Sequence, residues 1–186
     1  MLRFLVAGFL GILLSLTASA CGSSGGPPAA HVATGPLHVA AGGLGRFRKP
    51  GADNSLEGFG HEGSGPELEQ AAVAVHAYLV AWVEEDWAAA CASASSELHR
   101  ILERPTQPSP KAKRGGCVEA IAEVAGGEPP LGRTLYEATD MEAVALREER
   151  SFGYLFFYLG KTGYQQEVFR KDERWEVKAP LPSAPH

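Results

Sequence analysis

Hydrophobic residues recur at steps of three or four between residues 64 and 126, a spacing that predicts helices. The first helix starts at Ser64-Gly65-Pro66-Glu67, which combines a capping hydroxyl, a proline in the first turn and a carboxylate at the positive end of the helix dipole. No residue between Ala71 and Val83 carries a fixed charge. Because this run is too short to cross a bilayer, it indicates a core helix that is buried on more than one side.

Two further helices are expected after the first. Asp86 is a suitable N-cap for a helix that begins at Trp87 and continues as an amphipathic stretch up to Arg104, where three prolines end it. A shorter helix is predicted from Cys117, and the pair Gly126-Gly127 closes it.

The pattern changes to strands after Pro129-Pro130. Four segments are rich in β-branched or aromatic residues: Met141 to Glu149, Phe152 to Leu159, Tyr164 to Lys171 and Arg174 to Lys178. The connections between them are short enough for hairpins, so the strands are expected to be antiparallel. A run of helices followed by a run of strands predicts an α+β fold.

The segment Phe152 to Leu159 is apolar on both of its faces, which predicts a central strand. One face is expected to pack on the helices. The other face needs a second cover, for which the sequence leaves four candidates: the chain before residue 65, a curled neighbouring strand, a ligand or another copy of the protein.

The first 20 residues have the form of an export signal, with Arg3 near the start, an uncharged apolar stretch and small residues before Cys21. The cysteine and the Gly/Ser-rich residues behind it resemble bacterial lipoproteins, in which this cysteine carries the lipid. The resemblance implies attachment at Cys21 to the outer face of the cell membrane. Because Ala18-Ser19-Ala20 also satisfies ordinary signal peptidase, a secreted form is the alternative.

Composition divides the rest of the chain. Residues 21–65 are dominated by Gly, Pro, Ala and Ser and predict a lipidated N-terminus followed by a flexible tether. Residues 66–180 have the size of one domain, and residues 181–186 form a tail. The chain has 17 basic and 22 acidic residues and no basic face, so nucleic acid is not an expected partner.

Outside the cytoplasm thiols tend to pair, and setting Cys21 aside leaves Cys91 and Cys117 as an expected disulfide. No metal site is predicted, because these cysteines form no Cys-x-x-Cys hook and the six histidines lack helical ligand spacing.

The order of elements resembles the nuclear-transport-factor-2-like superfamily, which includes SnoaL-like and ketosteroid-isomerase-like domains in exported lipoproteins of high-GC Gram-positive bacteria. Two local patterns contribute to the resemblance: the run from Glu84 to Cys91, and Trp175-x-Val177 in the last strand. It implies a cone in which a curved antiparallel sheet wraps the first helix and leaves a hollow for ligands or catalytic groups.

The leading expectation for function is a membrane-tethered domain that binds a small apolar ligand or a protein partner without catalysis or a cofactor. Tyr78, Trp82, Tyr154 and Tyr158 are the predicted ligand-binding residues, and the sheet face is the predicted surface for a homodimer or a protein partner. An isomerase-like or cyclase-like enzyme is the first alternative, with Asp140 facing Tyr136, Tyr154 or Tyr158. A structural accessory of the cell envelope is the second. No nucleophile elbow, phosphate loop or His-Glu-x-x-His motif occurs, and no catalytic residue is predicted.

Overall fold

The computed structural model describes residues 32–102, 116–126 and 138–180. Within these ranges the helices are α1 (Gly65–Val83), α2 (Trp87–Ser93), α3 (Ser96–Leu102) and α4 (Cys117–Gly126), with a short 3-10 helix at Gly43–Arg46. The strands are β1 (Val32–Val39), β2 (His61–Glu62), β3 (Ala138–Glu149), β4 (Phe152–Leu159), β5 (Thr162–Lys171) and β6 (Arg174–Val177). The helices and a curled, mixed sheet make an α+β fold, as the order of elements predicted. The predicted signal peptide, Cys21 and the predicted tail lie outside the described residues.

Helix α1 begins as its sequence predicts. Ser64 is the N-cap, and its Oγ accepts a hydrogen bond from the Glu67 amide while a Glu67 carboxylate oxygen accepts from the Ser64 amide at 2.8 Å. This capping box stabilises the first turn. The buried residues cover a wide sector of the helix, as the uncharged run predicted: Leu68, Ala71, Ala72, Val75, Tyr78, Leu79, Ala81 and Trp82.

The expected second helix is divided in two. Asp86 caps α2 by accepting from the Ala89 amide, as predicted, but the helix ends at Ser93. The Ser95 amide then donates to the carbonyl of Val177 at 2.8 Å, and the Ser95 hydroxyl accepts from the Leu98 amide. A serine that satisfies the first turn of α3 in this way favours a new start over a continuous helix.

The sheet runs in the order β1-β3-β4-β5-β6, and β2 also pairs with β3. The hairpins from β3 to β6 are antiparallel, as predicted, and β4 is central. The β5–β6 turn is tight, with left-handed backbone at both Asp172 and Glu173. The prediction of a purely antiparallel sheet is wrong, because β1 joins the edge of β3 in parallel.

The segment predicted as a flexible tether belongs to the fold from residue 32 onward. After β1, residues 40–60, here called the cover segment, cross the side of the sheet that faces away from α1. Phe47 is buried against Phe156, with ring centroids 5.2 Å apart. Arg147 donates to the carbonyls of Phe59 and Gly60 and so holds the end of the segment on β3. The segment lacks a regular apolar period because its few large side chains contact the sheet at separate positions and do not form a continuous helix or strand face.

Candidate functional site

The four predicted ligand-binding residues lie on two different sides of the sheet. Tyr78 and Trp82 belong to α1 and face the sheet from the helix side, with ring centroids 6.1 Å apart. Tyr154 and Tyr158 point to the opposite side, under the cover segment. The structure therefore does not bring the four residues into one site.

The space between α1 and the sheet is filled with side chains. Leu155, Phe157 and Leu159 of β4 are buried in the same cluster as Tyr78 and Trp82. Their alternation matches the face that the sequence predicted for packing on the helices. The hollow expected from the resemblance is thus occupied by the protein's own core along β4.

The other face of β4 is covered by the chain itself, which is one of the four covers that the sequence left open. The ring of Phe59 lies 5.2 Å from that of Tyr154, and the ring of Phe47 lies 4.9 Å from that of Tyr158. Arg46 stacks on Tyr158 at 4.4 Å and donates to Glu142 at 2.9 Å. Burial raises the pKa of Tyr154, so its hydroxyl stays protonated.

The acid–tyrosine pair of the enzyme alternative is not assembled within the described residues. The Asp140 side chain is 62% exposed and lies 3.5 Å from His38, whereas Tyr154 and Tyr158 contact the cover segment. Tyr136 lies outside the described residues.

The cysteine pair and two of the histidines can be placed on the fold. Cys91 and Cys117 are at disulfide distance, with sulfurs 2.10 Å apart, and join α2 to α4 as expected. His76 and His99 each contact a backbone carbonyl, those of Gly35 and Cys91 respectively. Among the described residues no group of three or more His, Cys, Asp or Glu is arranged to hold a metal. Within the same ranges no helix has the length and apolarity of a membrane span.

A bulge in β3 creates a charged cluster that the sequence did not predict. Ala143 pairs with Phe157 and Ala145 with Phe156, so Val144 is an extra residue without a partner of its own. The extra residue reverses the alternation of the following side chains, as β-bulges do. Glu148 therefore faces the first turn of α1 instead of the cover segment.

The charged cluster consists of Glu148, Glu67, Arg170 and His61. Arg170 donates to Glu67 at 2.7 Å, and its Nη1 lies 3.9 Å from Glu148 Oε2. His61 Nε2 lies 3.7 Å from Glu148 Oε1. Glu148 is only 1% exposed, and its Oε2 has no hydrogen-bond donor among the described residues.

The pKa values of the two carboxyl groups in this cluster are shifted in opposite directions. Hydrogen bonds from the Ser64 hydroxyl and amide, assisted by Arg170, lower the pKa of Glu67 to about 2. Burial raises the pKa of Glu148, and the neighbouring Glu67 carboxylate raises it further. Glu67 is a fixed anion, and a protonated Glu148 is able to donate a hydrogen bond to it.

An open groove of about 900 Å³ lies beside the cluster, between α1 and the β5–β6 hairpin. Its lining is Glu67, Glu69, Gln70, Val73, Ala74, Arg170, Glu173, Arg174 and Trp175. Val73 is 53% exposed although it lies in the uncharged run of α1. Trp175 is buried, and its Nε1 has no acceptor among the described residues. The groove therefore combines exposed apolar surface with charges of both signs.

Comparison with known proteins identifies no relative of this chain. No protein-family model, no curated protein and no solved structure matches the chain.

The exposed valine of the groove could have been predicted from the sequence, whereas the charged cluster could not. Val73 stands off the stripe formed by Leu68, Ala72, Val75, Leu79 and Trp82, so its exposure follows from helical spacing. The placement of Glu148 depends on the bulge, which no local pattern in β3 marks.

Proposed function

We propose that the protein is a lipid-anchored, extracytoplasmic binding domain of the nuclear-transport-factor-2-like type, without catalysis. The anchor rests on the export signal and Cys21, as argued from the sequence. The fold type is supported by the order of elements and by a curled sheet that packs on α1. A disulfide between α2 and α4 is consistent with an oxidising location.

The ligand of this domain is a protein partner, bound in the groove between α1 and the β5–β6 hairpin. The observation that carries this choice is the filled core: Leu155, Phe157 and Leu159 occupy the space where a small apolar ligand would sit. The groove offers what protein interfaces use, namely an exposed valine, a tryptophan in its lining and a rim of charges.

Site-specific photo-crosslinking in the native host tests this function. A photoreactive phenylalanine analogue replaces Val73 in the anchored full chain, and in a matched variant it replaces Val118, another exposed helical valine at 40% exposure. We expect one discrete adduct at position 73 and none at position 118. The substitution Arg174→Glu is expected to reduce that adduct, because it reverses a charge on the groove rim.

Two results would contradict the proposal. No adduct at position 73, or the same adducts at positions 73 and 118, would remove the groove as the site. Native mass spectrometry of protein from its host that finds a stoichiometric bound lipid would instead favour a carrier.

A further inference from the structure

The end of the described chain is held on the helix side of the sheet by two buried side chains. The Tyr78 hydroxyl donates to the carbonyl of Pro180 at 2.9 Å, and Gln166 Nε2 donates to the carbonyl of Ala179 at 2.8 Å. Tyr78 and Gln166 are both fully buried. Two consecutive main-chain carbonyls are therefore bound by two donors that come from different elements, α1 and β5.

The same group of side chains has capacity that the chain does not use. Trp82 lies next to Tyr78, with ring centroids 6.1 Å apart. Gln166 Oε1 has no donor among the described residues. Buried polar groups are usually paired, since an unpaired one costs about 1–3 kcal/mol. One acceptor, Gln166 Oε1, thus remains for a longer or better-fitting occupant.

The chemistry of the occupant is visible in the sequence. The residues Ala179-Pro180-Leu181-Pro182 place proline at every second position. Proline favours an extended backbone whose carbonyls have no internal partners. Tyrosine and tryptophan side chains that donate to such carbonyls are a recurrent means of recognising proline-rich peptides.

We propose that Tyr78, Gln166 and Trp82 form a second binding site, which takes an extended proline-rich segment of a partner protein and is occupied here by Ala179-Pro180. The site is independent of the groove, because it lies at the other half of α1 and shares no lining residue with it. The chain's own segment acts as a competitor that a partner must displace.

Peptide binding tests this site. The chain shortened to end at Lys178 is titrated into a fluorescein-labelled peptide of residues 179–186, and binding is followed by fluorescence anisotropy. We expect saturable binding, weakened about 3- to 10-fold by Tyr78→Phe, which removes one hydrogen bond. The full chain is expected to bind the peptide at least about tenfold more weakly, since the attached segment has a high effective concentration.

The controls match each change. Tyr164→Phe deletes the hydroxyl of a second tyrosine, which is partly buried and packs on Phe157, and is expected to leave binding unchanged. A peptide with alanine in place of its first two prolines is expected to bind more weakly because it is less extended before binding. Equal binding by the Tyr78 and Tyr164 variants, or by the two peptides, would overturn the proposal, as would no saturable binding to a folded shortened chain.

A second measurement covers the case in which the shortened chain does not fold. The same peptide, with a photoactivatable leucine at the position of Leu181, is added in excess to the full chain. Labelling within α1 that the unlabelled peptide suppresses supports the site, and no labelling of α1 overturns it. Either result leaves the adduct at position 73 unaffected, so this proposal and the groove fail separately.

Discussion

Glu148 shows how one inserted residue changes the chemistry of a site. Side chains in a regular strand point alternately to its two faces. Met141 faces the core, so without a bulge Glu148 would lie on the side of the cover segment. The bulge at Val144 turns it towards Glu67 and Arg170. The sequence analysis found the strand and missed the cluster, because a bulge depends on cross-strand pairing that no local pattern specifies.

The raised pKa of Glu148 determines the direction in which the stability of the protein changes with pH. In the unfolded chain Glu148 has its ordinary pKa, so it loses its proton at a lower pH than it does in the folded protein. As the pH rises from the ordinary pKa to the raised pKa, the folded state therefore loses stability relative to the unfolded state. The loss is complete above the raised pKa. Glu148 is therefore expected to cost stability in its ionised form.

Glu148→Gln is expected to stabilise the protein, and the gain should be larger at pH 8 than at pH 4. The amide stays neutral and is able to donate to Glu67, which remains ionised. Thermal unfolding followed by circular dichroism at both pH values measures the effect. Glu149→Gln, at an exposed position next in the strand, is the control and should show no comparable difference. Equal shifts in the two variants would contradict the assignment.

At the scale of elements, the features fixed by neighbouring residues were predictable. The capping box of α1, the cap at Asp86 and the turns between β3 and β6 follow from residues close in sequence, and the structure has them. β1 was missed because it contains Gly35 and Pro36 and pairs in parallel with a strand about a hundred residues away. The break at Ser95 depends on Val177, which is also far away in the sequence.

Phe47 is the buried aromatic residue of the cover segment, so Phe47→Ala is expected to destabilise the protein by about 3–5 kcal/mol, the usual range for a buried phenylalanine. Phe47 is 3% exposed and packs on Phe156 and Tyr158. Urea unfolding measures the change. Phe47→Leu keeps most of the apolar volume and should lose less than half as much; a loss below about 1 kcal/mol for the alanine variant would contradict the role of Phe47.

The disulfide connects helices α2 and α4, which also pack on each other in the core. Replacing Cys91 and Cys117 by serine is expected to lower the free energy of unfolding by about 3–4 kcal/mol, since the bridge closes a loop of 26 residues. Chemical unfolding with and without reductant measures this. Reductant should weaken the natural chain and leave the double serine variant unchanged. Free labelling of both thiols without reductant would contradict the bridge.

On the scale of the whole molecule, both faces of the central strand are closed by the chain itself. The sequence predicted two apolar faces and the need for a second cover, and it could not select the cover, since the choice depends on where residues 40–60 dock. For the same reason it grouped Tyr78 and Trp82 with Tyr154 and Tyr158, although the sheet separates the pairs. The side of the sheet on which a residue lies is a property of the assembled fold.

The proposed anchor makes a prediction for the intact protein in its host. Cys21→Ser removes the only acceptor for lipid at the export signal and is expected to move the protein from the membrane fraction to the soluble fraction. Fractionation followed by immunoblotting measures this, and Ser23→Ala, two residues further on, is the control that should stay with the membrane. Membrane retention of the Cys21 variant would contradict lipidation.

Under the proposed attachment at Cys21, the parallel strand β1 also limits how far the domain can stand from a membrane. With attachment at Cys21 and the sheet beginning at Val32, only residues 22–31 lie between them. Ten residues span at most about 35 Å even when fully extended. That distance is comparable to the width of a small domain, so the proposed anchor would hold the start of the sheet within about one domain width of the lipid headgroups.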